Sequence, residues 1–334
     1  KQMLIWMQTP REVLPLATVY LRIYFLGMAS TMVYNFGSAL LRAVGDTKRP
    51  LYFLLCAGVI NVILNLLFVV GFHLDVMGVA IATVISETVS AVLVLRCLMR
   101  ESGGIHLELR AMQIDRKKMM QILRIGLPAG FQGVVFALSN VVIQSSVNIF
   151  GNIIVAGNSA AANLEGFVYM AMNAFYQTTL SFVSQNFGAG EQKRIHRIVL
   201  WGEICVIVTG TLLGNAVVFF GNELLQIYSN NPEVINAGMV RLHYISMVYA
   251  LCGIMDVMVG ALRGIGYSIM PMIVSIVGVC VLRLVWLATV FQIPQFHRIE
   301  TVYLSYPFTW ILTSIVYIVF FICVRVKTCR KQHS

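Results

Sequence analysis

Charge is what this sequence has least of. Only 11% of its 334 residues are Asp, Glu, Lys or Arg, while 58% are hydrophobic and the mean hydropathy is +0.81. A water-soluble domain carries about a quarter charged residues, so an ordinary cytosolic enzyme is excluded and lipid becomes the expected solvent. Metal-site cysteine pairs are missing too. The seven cysteines (Cys56, Cys97, Cys205, Cys252, Cys280, Cys323, Cys329) are scattered with no C-x-x-C spacing, and most sit in apolar runs as small core residues. No P-loop, G-x-S-x-G or zinc-protease motif occurs, and the six histidines fall in loops or at span ends without an acid beside them. These absences point away from an enzyme, from a bound metal or organic cofactor, and from ATP as an energy source.

What the chain does have is long apolar runs. A bilayer core about 30 Å thick needs roughly 20 helical residues at about 1.5 Å each. Nine stretches reach that length: 17–41, 51–72, 77–99, 122–150, 160–186, 197–220, 236–262, 270–292 and 302–326. The net charge of +10 raises the question of nucleic acid, but the basic residues lie in short clusters between the spans. Arg42, Lys48 and Arg49 follow the first span, Arg96 to Arg124 surround the gap after the third, and Lys193, Arg194 and Arg197 follow the fifth. Arg263 follows the seventh, and Arg325, Lys327, Arg330 and Lys331 form the tail. The intervening loops hold only Arg298. By the positive-inside rule the basic loops and the C-terminus are cytoplasmic, in a multi-pass cell-membrane protein.

The chain also repeats itself. Leu41-Arg42-Ala43-Val44-Gly45 with Pro50 matches Leu262-Arg263-Gly264-Ile265-Gly266 with Pro271, both L-R-x-x-G-x-x-x-x-P, at an offset of 221 residues. Upstream, Thr9-Pro10-Arg11-Glu12-Val13 pairs with Asn231-Pro232-Glu233-Val234. Both copies place the L-R turn on the cytoplasmic side, which makes the repeat parallel. The matching spans are the fourth and fifth of six in the second half but the first and second of the front half. The expectation is an all-α polytopic protein with nine transmembrane helices present of twelve, in two six-helix lobes. Residues 1–99 are then the last three helices of the N-terminal lobe, 100–121 a cytoplasmic linker, and 122–334 the C-terminal lobe with its basic tail. On the same logic the parent chain extends roughly 100 residues further at its front. Asp115 is placed to cap an amphipathic segment at the start of the second lobe, lying at the anionic inner leaflet.

Several runs resemble the multidrug and toxic compound extrusion (MATE) family: YLRI at 20–23, LLRAVGDTKRP at 40–50, GVAIATVIS at 78–86, GLPAGFQ at 126–132, VSQNFGAG at 183–190 and GALRGIG at 260–266. The resemblance implies two six-helix lobes around a central cavity. It also implies export of mostly cationic or amphipathic compounds, antibiotics and other xenobiotics among them, in exchange for Na⁺ or H⁺. Lipid-linked oligosaccharide flippases belong to the same superfamily and form the alternative. Expected partners are then a small-molecule substrate and the bilayer, with no nucleic acid and no obligate protein partner, and the chain acting as a monomer.

Polar groups inside spans are where function is sought, since a span needs none for its fold. Gln132, Asn140, Gln144 and Asn148 recur at multiples of four and share one helix face. Tyr169, Asn173 and Gln177 repeat the pattern in the next span. These stripes read either as the lining of a wet cavity or as hydrogen-bonded glue between helices. Asp256 lies inside the seventh span, where a carboxylate costs about 2.5–3.5 kcal/mol on insertion scales. It is a candidate for coupling Na⁺ or H⁺, with an ion pair to Arg283 as the structural alternative. Its repeat partner is Asn35. Some branches of the family place their acid about one turn earlier, where Cys252 stands, and also carry an acid in the helix opening the second lobe, where this chain has only amides. Glu87 is a second ion candidate. Glu165 is expected to meet water at the cavity mouth, with a gating or substrate-attracting role, and Arg283 to pair or to line the cavity. Arg42 and Arg263 read as helix C-caps.

Overall fold

The structure, a computed structural model, describes residues 13–332, with their side chains to residue 324. The upstream repeat at Thr9–Glu12 and the basic side chains of the tail lie outside the described residues. The chain divides into two compact units, 1–114 and 115–334.

In the first unit, α1 (Leu14–Ala43) and α2 (Lys48–Asn65) both pack on α3 (Asp75–Arg100), which lies between them. Leu41, Val94 and Leu98 form its small core. Most other large side chains face outward, including Phe25 and Leu26 at 63% and 80% exposure. Such a surface would aggregate in water and is at home in lipid. α2 ends in a widened π turn, Leu66–Gly71.

The second unit starts with α4 (Arg116–Asn148). Asp115 caps it as expected, accepting from the backbone N–H groups of Lys117 at 2.8 Å and Lys118 at 3.2 Å. The basic segment and the fourth span are therefore one continuous helix. There follow α5 (Asn152–Gly188), α6 (Gln192–Phe219), the short α7 (Gly221–Gln226), α8 (Pro232–Ile245) and α9 (Ala250–Gly264). α10 (Ile269–Ser275) passes through a π turn, Ile276–Val281, into α11 (Leu282–Ala288), and α12 (Ile299–Gln332) closes the unit. α9 is the hub, packed against α5, α6 and α12. Met172, Val206, Ile245, Tyr303 and Tyr317 meet around it in the main core. Gly260 sets the closeness of α5 and α9: a Cβ there would lie 2.8 Å from the carbonyl oxygen of Tyr176. Small residues at such crossings substitute tight van der Waals contact for a hydrophobic drive that lipid does not provide.

The two L-R-x-x-G turns are the same object. Gly45 and Gly266 have φ of +87° and +91°, in the left-handed region. The Gly45 N–H donates to the Arg42 carbonyl at 3.0 Å and the Asp46 N–H to Leu41 at 3.0 Å; Gly266 and Tyr267 repeat this onto Arg263 and Leu262 at 2.9 and 3.0 Å. This left-handed helix stop satisfies the last carbonyls.

Seven described helical segments are long and apolar enough to cross a bilayer. α8, with the short turn Ser246–Val248 that extends it, and α9 are bent by 46° at Tyr249 and add an eighth if they form one span. The expected count of nine is met by length but not by apolarity. α5, the ninth, has 37 residues and a length of about 55 Å, yet is not among the seven because its row of Asn, Gln and Ser dilutes its apolar residues.

Candidate functional site

α9 presents Asp256 to a chamber of about 300 Å³ lined entirely by residues of the second unit. α4 contributes Phe136 and Asn140, α5 contributes Tyr169, α11 contributes Arg283 and α12 contributes Trp310. The π turn just ahead of α11 brings Val279 and Cys280 to the wall. One Asp256 carboxylate oxygen is buried with no hydrogen-bond partner. The alternative of an Asp256–Arg283 ion pair is not realised. Arg283, 3% exposed, donates through Nη2 to Thr309 Oγ1 at 3.0 Å and lies 3.9 Å over the ring of Tyr306. Its Nε finds no acceptor.

A second chamber of about 270 Å³ adjoins the first and shares Asn140, Tyr249 and Trp310 with it. Here the expectation for Glu165 is overturned. Glu165 does not meet water at a mouth: it is 5% exposed and held in a two-point ion pair with Arg241 of α8. Arg241 Nε donates to Oε1 at 3.0 Å and Nη2 to Oε2 at 2.7 Å. Nη1 donates to Asn158 Oδ1 at 2.6 Å, which also accepts from the Tyr303 hydroxyl at 3.2 Å. The Asn158 amide in turn donates to Gln144 at 3.1 Å, and Gln144 to Asn148 at 3.0 Å. The physical reason is lipid-phase chemistry: a guanidinium inside a span must find its counter-charge, and the carboxylate one helix away supplies it.

A third network engages Gln132, which lines neither chamber. Arg263 reaches back from the end of α9 and donates to Gln132 Oε1 and to the Tyr176 hydroxyl, both at 2.8 Å. Gln132 Nε2 donates to Ser275 at 3.0 Å, and Ser275 is bonded to Tyr317, whose hydroxyl reaches the Pro271 carbonyl at 2.7 Å. Arg263 thus ties α4, α5 and α9 together in addition to ending its helix. The amide stripe of α4 is divided: Asn140 lines both chambers and Gln144, bonded to Asn158 and Asn148, lines the second, while Gln132 and Asn148 line neither. On α5, Tyr169 reaches a chamber, whereas Asn173 and Gln177 line neither of the two. Asn35 and Glu87 belong to the first unit. Asn35 is exposed on α1, and Glu87 accepts a hydrogen bond from Thr31 Oγ1 across the α1–α3 contact.

Three participants escaped the sequence reading. Arg241 and Glu203 both lie within expected spans, and a charge inside a span was the signal that would have found them. Glu203, on α6, has both carboxylate oxygens buried without a partner. Asn158 offered no such signal, since its place depends on Arg241.

The geometry is that of a polytopic membrane protein whose helical bundle encloses a small polar interior holding both signs of charge. The profile of the MatE family matches residues 1–67 and 128–289, and the chain belongs to that family. It is 30% identical over 281 residues to a probable multidrug resistance protein, YpnP, of Bacillus subtilis, covering 83% of this chain and 62% of that protein. An FAD transporter of Shewanella oneidensis is 27% identical over 322 residues, covering 94% of this chain and 70% of that one. The chain spans about 60% of the length of the first of these curated relatives and of the related probable multidrug resistance protein YoeA. A crystal structure of MATE in the bent conformation superposes with a TM-score of 0.89 at 18% identity, covering all of this chain and 74% of the other, which shows the shared fold.

Proposed function

We propose that the protein is a secondary exporter of cationic or amphipathic compounds, working by antiport with Na⁺ or H⁺ as its lobes alternate access to the two sides of the cell membrane. The observation that supports this reading best is Asp256: a carboxylate with an unpartnered oxygen, facing a chamber inside a lipid-embedded bundle. A carboxyl in that position exchanges a proton, a sodium ion or the cationic group of a substrate, and competition among them for one charge is the essence of antiport. The names of the multidrug-resistance relatives agree with it. A flippase would need a strongly basic cavity to hold a pyrophosphate, whereas these chambers set Asp256 and Glu165 against Arg283 and Arg241. The basic loop clusters support a cytoplasmic C-terminus.

The test is ethidium efflux from proteoliposomes of the full-length protein under separate Na⁺ and H⁺ gradients, with Asp256→Asn beside the wild type. A drop of tenfold or more in gradient-driven efflux, with ethidium binding retained, is the expected result and names the ion. Equal efflux by the two proteins removes Asp256 from the coupling role, and no efflux under either gradient removes the exporter reading.

A further inference from the structure

We propose that the Asp256 chamber selects amphoteric molecules, and that Arg283 is the specificity-determining residue, binding a carboxylate or phosphate on a flat aromatic ligand. This deepens the proposed function and rests on it. A guanidinium stays charged in any protein environment. Arg283 carries that charge at 3% exposure with its hydrogen bond and its stacking contact both made to neutral groups, the Thr309 hydroxyl and the face of Tyr306, a ring that Arg241 also approaches at 5.7 Å, and with no carboxylate within 4.0 Å among the described residues. Arg241, on α8 just ahead of the hub, makes the contrast within the same unit. There Glu165 and Asn158 take up its N–H groups. Arg283 has spare donors and no counter-ion, and burying a lone charge is costly unless something completes it.

The same chamber holds Asp256, which does not touch Arg283 and has its own unpartnered oxygen. A ligand bearing only a cation satisfies Asp256 and is repelled by Arg283. A ligand bearing only an anion does the reverse. A molecule with an oxyanion at one point and an ammonium or other donor at another completes both groups at once. The walls between them are aromatic, with Phe136, Tyr169, Tyr249 and Trp310. The volume of about 300 Å³ is that of a ring system and not of a whole large drug.

Binding measured on the purified full-length protein by quenching of tryptophan fluorescence tests this, Trp310 being in the chamber wall. The probes are a fluoroquinolone with its carboxylate and ammonium intact, its ethyl ester, which keeps the ring and the ammonium but loses the anion, and ethidium, a permanent cation. The wild type is expected to bind the acid at least tenfold more tightly than the ester, the range of one charge-assisted hydrogen bond. Arg283→Gln should erase that preference by weakening the acid while ester and ethidium bind as tightly as before or more tightly, the repulsion of their cations being relieved, and Arg283→Lys should restore part of it. A wild type that binds ester as well as acid overturns the proposal even if the variant fails to fold. So does a folded Arg283→Gln protein in which all three ligands weaken equally, which would mark a structural role. Failure of the exporter reading has a different signature: no binding of any probe, ethidium included.

Discussion

Removing Glu165 should destabilise the protein more than removing Arg241, and removing both should cost less than removing either. At 2.7 Å and an effective dielectric of about 20, the attraction between the two charges is about 6 kcal/mol. Taking two ions out of water costs several kcal/mol each, so the intact pair is close to neutral for stability. Breaking it is another matter. Glu165→Leu leaves a guanidinium that cannot shed its charge, with Asn158 as its remaining polar partner, and the expected cost is about 3–5 kcal/mol. Arg241→Leu leaves a carboxylate that can take up a proton and become a neutral group, so its cost falls below that of Glu165→Leu. The double Leu variant fills the site with apolar volume and should recover most of the loss, giving a coupling energy of at least about 2 kcal/mol. Reversible unfolding in mixed micelles, followed for the wild type, both single variants and the double variant, measures the full cycle. Additive single costs would refute the reasoning, because they would mean that the pair contributes no mutual term. A costlier Arg241→Leu would refute the argument from protonation.

Two glycine sites give further checks in the same unfolding assay. Gly260→Ala drives a methyl to 2.8 Å from a backbone carbonyl of α5 and should cost about 1–3 kcal/mol, whereas Gly166→Ala, with nothing within 4 Å, should be neutral or slightly stabilising through helix propensity. Gly45→Ala and Gly266→Ala each force an L side chain into φ near +90° with open space around it, so both should lose about 1–2 kcal/mol from backbone strain alone, and by similar amounts.

Local features were legible from the chain and long-range partners were not. The L-R-x-x-G repeat predicts two like turns, and Gly45 and Gly266 stand in matching left-handed conformations with matching hydrogen bonds. Asp115 reads as a cap because a carboxylate before a helix start finds free N–H groups within three residues. The amide stripes were legible only as far as the helix face. Spacing by four puts Gln132, Asn140 and Gln144 on one side of α4, but what that side meets is decided by residues of other helices. Arg263, at a separation of 131 residues, claims Gln132. Asn158, only fourteen residues on, claims Gln144 because Arg241 has already fixed its carbonyl. The bend at Tyr249 had no warning in the hydropathy, and Arg241 and Asp256, on either side of it, line different chambers.

Comparing the acids of the second unit explains why one of them is the coupling candidate. An antiport site has to be buried enough that charging it has consequences and open enough that both ion and substrate reach it. Glu165 meets the first condition, but its two oxygens are occupied by Arg241, and freeing them would strand a guanidinium. Glu203 has two unoccupied oxygens but lines neither chamber, so a ligand bound in them does not touch it. Asp256 alone of the three has a buried oxygen without a donor and a place in a chamber wall. The nearby Arg283 does not neutralise it, because stacking on Tyr306 and bonding to Thr309 hold that guanidinium on α12. The bundle therefore keeps two opposite charges apart across one small volume. The pair stays open to whatever enters, and collapse into a salt bridge like that of Glu165 and Arg241 would have closed the site.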